Sequence, residues 1–239
     1  MGAMRGLGEE VRTWTLVDGR SFEAALSDRV SFDGDVKLID PQGKELSVPP
    51  ERLSESDLEY IDIMRVPELD IDIMRSLRQV LYSSKLANYA SMVRDPEIKA
   101  SFGVRVKQLG SGDYDHELHV EFFVVGRQVY ADCYMLLARE TVSFRLTREN
   151  QKRFEYESPT EVPIRDFYMR EFAHRGEKYH GYLVLVTDEL GRVVAHEESC
   201  NWLLDNMENL KKIRVGNYFG QDCIRREAAR PEPLIDLSF

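Results

Sequence analysis

The sequence predicts a mainly β protein, in which a small N-terminal barrel is followed by a connection and a larger β-sandwich. Two observations support this fold class. Turn signals recur every eight to ten residues over the first 61 positions, and long β-prone runs rich in Tyr and Phe follow from position 102 without helical stretches between them. A chain of 239 residues is long enough to bury one sizeable core or two small ones.

Residues 9–64 are predicted to form the barrel. Asp-Gly pairs at positions 18–19 and 33–34 are typical of hairpin turns, because Gly adopts positive φ at little steric cost. Asp40–Gly43 has the residues that a type I turn prefers. Apolar residues between the turns alternate with polar neighbours, namely Val36 with Leu38 and Leu46 with Val48. This alternation predicts a twisted meander of four or five short strands, each with one buried face.

The barrel is predicted to end with a short helix. Pro49 and Pro50 cannot donate to a sheet ladder, so the last strand stops there. Ser54 fits as an N-cap whose hydroxyl accepts from the backbone N–H of Asp57, a cap that stabilises a helix by ~1 kcal/mol. A small sheet that closes with a helical turn is typical of a Src-homology-3-like barrel.

The segments RTWT, DGRSFEA, DGDVKL, PQGKELSVP and ERLSESDLEYI, in this order, resemble the first Sla-homology domain, a module named for a yeast endocytic adaptor. The resemblance covers about fifty residues. In the adaptor this module is a small barrel that binds Asn-Pro-Phe-x-Asp peptides, so the resemblance implies recognition of a protein or peptide. Trp14, Lys44 and Arg52 are the candidate ligand contacts. The alternative for Trp14 is a place in the barrel core, because aromatic residues dominate small cores.

The charge of the chain restricts its partners. The formal net charge is −10, and a nucleic acid is excluded as a partner because binding it requires a basic patch that releases counterions. Residues 9–61 hold thirteen Asp or Glu against six Lys or Arg, a net charge of −7. Such a module repels an acidic peptide, so we expect a neutral or basic protein or peptide partner.

The rest of the chain divides into three parts. Residues 65–98 are predicted to be a linker, and their apolar spacing fits a helix and an extended segment equally. Residues 99–225 contain six or seven β-prone runs, which predict a two-sheet sandwich of the immunoglobulin or fibronectin type. Residues 226–239 form a tail that combines prolines with an apolar end.

The sequence motifs predict no catalytic residue, no metal site and no cofactor. His116 and His119 are three residues apart on a strand, so they point to opposite faces and cannot bind one ion together. Cys133, Cys200 and Cys223 are too widely spaced for a zinc site and are expected to be reduced thiols, with one disulfide and one free thiol as the alternative. Neither a nucleophile elbow nor a phosphate-binding glycine loop is present in the sequence.

We therefore expect a non-catalytic protein- or peptide-binding or scaffolding protein, with the bacterial cell envelope as its setting. The alternatives are a structural, self-associating envelope component and an enzyme whose site is not visible as a motif. No stretch of about 18 apolar residues predicts a membrane span. The first four residues, MGAM, resemble a vector-derived start. A periplasmic or secreted location is expected if a native signal preceded them, and a cytoplasmic one otherwise.

Overall fold

The structure is a computed structural model that describes residues 11–27, 35–65, 67–80, 97–110, 112–128, 132–164, 166–168 and 174–227. It is mainly β, with antiparallel sheets, as the sequence predicts. The chain divides into two compact units. The first unit holds residues 1–68 and 109–116, and the second holds residues 69–108 and 117–239.

The first unit is built on one curled sheet of four strands in the order β1-β2-β3-β4. These strands are β1 (Val11–Thr15), β2 (Ser21–Leu26), β3 (Val36–Ile39) and β4 (Glu45–Val48). A single 3₁₀ turn follows at Pro50–Arg52, after which Leu53 bridges back to Leu16 and helix α1 (Glu55–Met64) begins. The sheet therefore curls back toward its first strand, which confirms the small barrel.

Local signals set the turns and the helix start of this unit. Gly19 and Gly43 have φ of 83° and 82°, as the predicted turns require. Ser54 is the N-cap of α1, and its hydroxyl accepts from the backbone N–H of Asp57 at 3.3 Å, as predicted. The turn predicted at positions 33–34 lies outside the described residues.

The second unit is a sandwich of two sheets. Its strands are β5 (Leu69–Val80), β6 (Glu97–Gln108), β7 (Tyr114–Gln128), β8 (Tyr134–Leu146), β9 (Arg153–Glu157), β10 (Val162–Ile164), β11 (Asp166–Tyr168), β12 (His174–Thr187), β13 (Val193–Glu198), β14 (Tyr218–Phe219) and β15 (Arg225–Arg226). Two short helices, α2 (Asn201–Asp205) and α3 (Met207–Leu210), precede β14. Except for residues 114–116 of β7, these elements belong to the second unit.

The strand order is that of an immunoglobulin-like sandwich. In the first sheet, β6 pairs with β5 along one edge and with β9 and β10 along the other. In the second sheet, β12 pairs with β13 and β7, and β8, β14 and β15 continue the sheet. Strands A, B and E of the immunoglobulin fold correspond to β5, β6 and β9 with β10, and C′, C, F and G correspond to β8, β7, β12 and β13. The predicted sandwich class is therefore confirmed.

Residues 69–80 lie in the segment predicted to be a linker, either helical or extended, and the structure shows them extended but as part of the sandwich. These residues form β5, which pairs with β6 from Leu69 opposite Gln108 to Val80 opposite Glu97. Partly buried Ile71 and Ile73 alternate with exposed Asp70 and Asp72, the period of two that a half-buried strand requires. Residues 81–96 lie outside the described residues, as do residues 228–239 of the predicted tail, and Arg226 lies in β15.

The second sheet is buried on both faces. On one face, Phe122 of β7 lies 6.5 Å from the ring of Tyr156 on β9 in the first sheet. On the other face, Phe123 and Leu185 pack in a cluster with residues of the C-terminal helical segment such as Leu203. Strands with two covered faces read as continuous apolar runs, which explains the sequence EFFVV in β7.

Candidate functional site

Of the three predicted ligand contacts, only two are exposed. Trp14 is fully buried, and its indole Nε1 donates to the carbonyl of Ala24 at 2.9 Å. Trp14 thus presents no surface to a ligand. It lies in the core of the first unit, which is the alternative given above for this residue. Lys44 and Arg52 are both exposed on the first unit, in the β3–β4 turn and in the 3₁₀ turn.

The histidines and cysteines form no reactive cluster in the part of the chain that the structure describes. His116 Nε2 lies 3.1 Å from Asp62, whereas His119 Nδ1 lies 2.8 Å from the hydroxyl of Ser143, so the two rings have separate partners. All three cysteines are free thiols. Burial raises the pKa of Cys133 and raises that of Cys223 to about 12, so both thiols are protonated and weakly nucleophilic at neutral pH. Among the described residues, no three His, Cys, Asp or Glu side chains come together as a metal site.

Strand β5 presents an open edge within the described ranges of the second unit. All twelve residues of β5 pair with β6, and within the described ranges no other strand pairs with β5. Such an edge presents unpaired N–H and C=O groups to an added strand. No chemical motif marks this edge, and the linker prediction for residues 65–98 does not include it. The alternation from Asp70 to Ile73 is the sequence signal that identifies it.

A charged cleft of about 350 Å³ lies beside this edge on the outer face of the first sheet. Side chains two residues apart on three neighbouring strands point to this face. They form two rows across the sheet: Asp70, Lys107 and Arg153 in one row, and Asp72, Arg105 and Glu155 in the other. Phe154 also lines the cleft.

Some charged side chains of the cleft lie beside an opposite charge, and others lie beside a like charge. Nε of Arg105 donates to Oε2 of Glu155 at 3.2 Å, and this hydrogen bond raises the pKa of Arg105. Lys107 and Arg153 lie directly opposite each other as like charges. Asp70 and Asp72, which are nearest the open edge, form no direct hydrogen bond or ion pair among the described residues, but Asp72 lies opposite Arg105 and its charge also raises the pKa of Arg105. The arrangement presents two carboxylates to a segment that lies along β5.

Comparisons with known proteins give no family. No protein-family model matches the chain, and no curated protein sequence matches it. A crystal structure of a protein from Akkermansia muciniphila is similar with a TM-score of 0.28 and 18% sequence identity, over 63% of this chain and 79% of that one. A TM-score this low carries no argument about fold or function. No helix in the described residues is both long and apolar enough to cross a bilayer.

Proposed function

We propose that this chain is a non-catalytic recognition protein that binds an extended segment of a partner protein as an added strand along β5. The observation that carries this proposal is the twelve-residue edge of β5, which is open within the described ranges and has the carboxylates of Asp70 and Asp72 beside it. In strand addition, main-chain hydrogen bonds provide affinity and alternate side chains provide specificity.

The carboxylates define the chemistry of the partner segment. Asp70 and Asp72 lie on the same face of β5, about 7 Å apart at the rise of an extended strand. An added strand directs every second side chain to that face. We therefore propose that the bound segment has Lys or Arg at one or both of the alternate positions that face Asp70 and Asp72, in agreement with the neutral or basic partner expected from the net charge of −10.

The first unit is proposed as a second recognition surface of the same protein. Its curled sheet, its 3₁₀ turn before the bridge of Leu53 and the Ser54 cap support the resemblance to the first Sla-homology domain. Lys44 and Arg52 are the exposed cations that such a surface would offer. The bacterial cell envelope is the proposed setting, and the alternatives are a self-associating structural component and an enzyme.

Two synthetic peptides test the proposal. Both are fluorescently labelled ten-residue chains with Val at alternate positions, with Lys between the valines in one peptide and Glu in the other. Fluorescence anisotropy with the full chain is expected to show binding of the Lys peptide alone. Replacing both Asp70 and Asp72 with Asn is expected to weaken this binding about threefold to tenfold, because each exposed ion pair contributes ~0.2–1 kcal/mol.

The matched control is Glu157→Gln, which removes a carboxylate from β9 in the same sheet but away from the β5 edge. This variant is expected to bind the Lys peptide as the unmodified chain does. Equal binding of the Lys and Glu peptides contradicts the proposed specificity. Lack of binding together with turnover in a hydrolase screen supports the enzyme alternative instead.

A further inference from the structure

Strand β5 is complementary to itself when two copies run antiparallel. If Met74 lies opposite Met74 of a second copy, Asp70 lies opposite Arg78 on the outer face, and Ile71 lies opposite Leu77 on the inner face. We infer that the segment bound along β5 is the β5 strand of a second copy of this chain. This inference rests on the proposed function and names the partner of the same edge.

The outer face supplies the charge complementarity. Asp70 has no ion-pair partner among the described residues. The Arg78 side chain is 61% exposed, and its Nη2 donates to both carboxylate oxygens of Glu161 at 2.8 Å. Lys99 lies 3.7 Å from that same carboxylate, so two cations share one anion. Asp70 of the second copy supplies the missing negative charge.

The inner face supplies an apolar contact in the same register. Leu77 is 51% exposed, although it belongs to the face of β5 that lies toward the sandwich interior. The register that pairs Asp70 with Arg78 places Leu77 against the partly buried Ile71 of the second copy. Each face of the strand therefore contributes one complementary pair, which twofold symmetry repeats, and Asp72 lies opposite Ser76 in this register.

The neighbouring symmetric registers are less favourable. A shift in one direction places Asp72 opposite Arg78 but also places Arg75 opposite Arg75 of the second copy, which is a like-charge pair. A shift in the other direction places Asp70 opposite Ser76 and Asp72 opposite Met74, so neither carboxylate gains a cation. The charge pattern of β5 thus selects one register, in which the two first sheets become one continuous sheet and both open edges are covered.

Charge reversal tests this pairing. Sedimentation velocity over a concentration series is expected to show a monomer–dimer equilibrium of the full chain. Asp70→Arg and Arg78→Asp are each expected to weaken the dimer at least tenfold. A mixture of the two variants is expected to recover the dimer, because each 70–78 pair then joins opposite charges again. Glu157→Lys, a reversal on β9, is expected to leave the equilibrium unchanged.

The outcomes distinguish this inference from the proposed function. A chain that stays monomeric at every concentration but still binds the Lys/Val peptide overturns self-pairing and leaves recognition at β5 intact. A dimer that resists both reversals, or a mixture that does not recover it, also overturns self-pairing. If the inference holds, the Lys/Val peptide competes for the edge and dissociates the dimer, whereas the Glu/Val peptide does not.

Discussion

The curled sheet of the first unit and the second sheet of the sandwich bury their faces differently. The first unit has one small apolar cluster, which includes Trp14, Leu38 and Ile61. The second sheet has apolar side chains on both faces, and the C-terminal helical segment covers one of them. Both units also bury a carboxylate, but Asp57 of the first unit joins two secondary-structure elements, whereas Asp188 of the second unit bonds to Leu190 and Arg192 within its own turn.

Asp57 is the principal polar anchor of the first unit. Its carboxylate is 2% exposed and accepts from Nη2 of Arg12 at 2.8 Å, from the backbone N–H of Thr15 at 2.7 Å and from the hydroxyl of Ser54 at 2.8 Å. The guanidinium of Arg12 also lies 3.8 Å from the centre of the Tyr60 ring. The Asp57 side chain of α1 thus links the helix to β1 through hydrogen bonds.

The two tryptophans allow the two units to be compared in one chain. Trp14 lies in the core of the first unit, and Trp202 packs against the cluster of the second. The chain contains no other tryptophan. With Trp14→Phe or Trp202→Phe, the remaining indole therefore reports the unfolding of one unit.

The largest effect is expected from truncation in the doubly buried sheet. Phe123→Ala removes a fully buried ring and is expected to lower the free energy of unfolding of the second unit by ~3–5 kcal/mol. Urea denaturation followed by Trp202 emission, in the Trp14→Phe background, measures this loss. The control Leu190→Ala, at a residue that is 50% exposed, is expected to change stability by less than ~0.5 kcal/mol. Similar losses for the two variants would show that the second face is not a packed core.

The next largest effect is expected at the polar anchor. Asp57→Asn removes the charge that Arg12 pairs with and is expected to cost ~2–3 kcal/mol, because hydrogen bonds to charged groups contribute more than neutral ones. Urea denaturation with Trp14 as the reporter checks this value in the Trp202→Phe background. Glu59→Gln, at an exposed position of α1, is the control. An equal response of the two variants would mean that the first unit depends on its apolar core alone.

A smaller effect is expected at the cap of α1. Ser54→Ala removes the hydroxyl that accepts from the Asp57 backbone and is expected to cost ~1 kcal/mol. Ser54→Thr retains a hydroxyl and is expected to preserve most of the stability. The same Trp14 denaturation curve measures both variants, and indistinguishable midpoints for Ala and Thr would argue against a stabilising cap.

The smallest effect is expected from the protonation of His180. Burial, together with the charge of Arg127, lowers the pKa of this half-buried ring, which lies 5.0 Å from the ring of Tyr134. The folded state therefore keeps His180 neutral while the unfolded state takes up a proton below about pH 6.5. Stability from this residue is present above that pH and falls as the pH decreases through it. His180→Gln is expected to flatten this slope in Trp202-monitored denaturation between pH 5 and 8, and His119→Gln serves as the control. A slope that is unchanged in His180→Gln would contradict the assignment.

The sequence by itself determined the fold class, the hairpin turns and the start of α1. These features depend on neighbours in the chain: Gly19 and Gly43 adopt positive φ within their own turns, and Ser54 caps a helix that begins at the next residue. The alternation of apolar residues likewise reports locally on a strand with one buried face.

Only the tertiary structure decided the state of residues 69–80, the role of Trp14 and the composition of the charged cleft. The pairing of β5 with β6 joins segments on either side of residues 81–96. No sequence pattern within β5 specifies the strand with which it pairs. A tryptophan in a small sheet is compatible with a core position and with a ligand-binding surface. Only the structure shows that the Trp14 side chain is buried. Asp70, Lys107 and Arg153 meet because of the sheet register, and a register is a long-range property that no local pattern specifies.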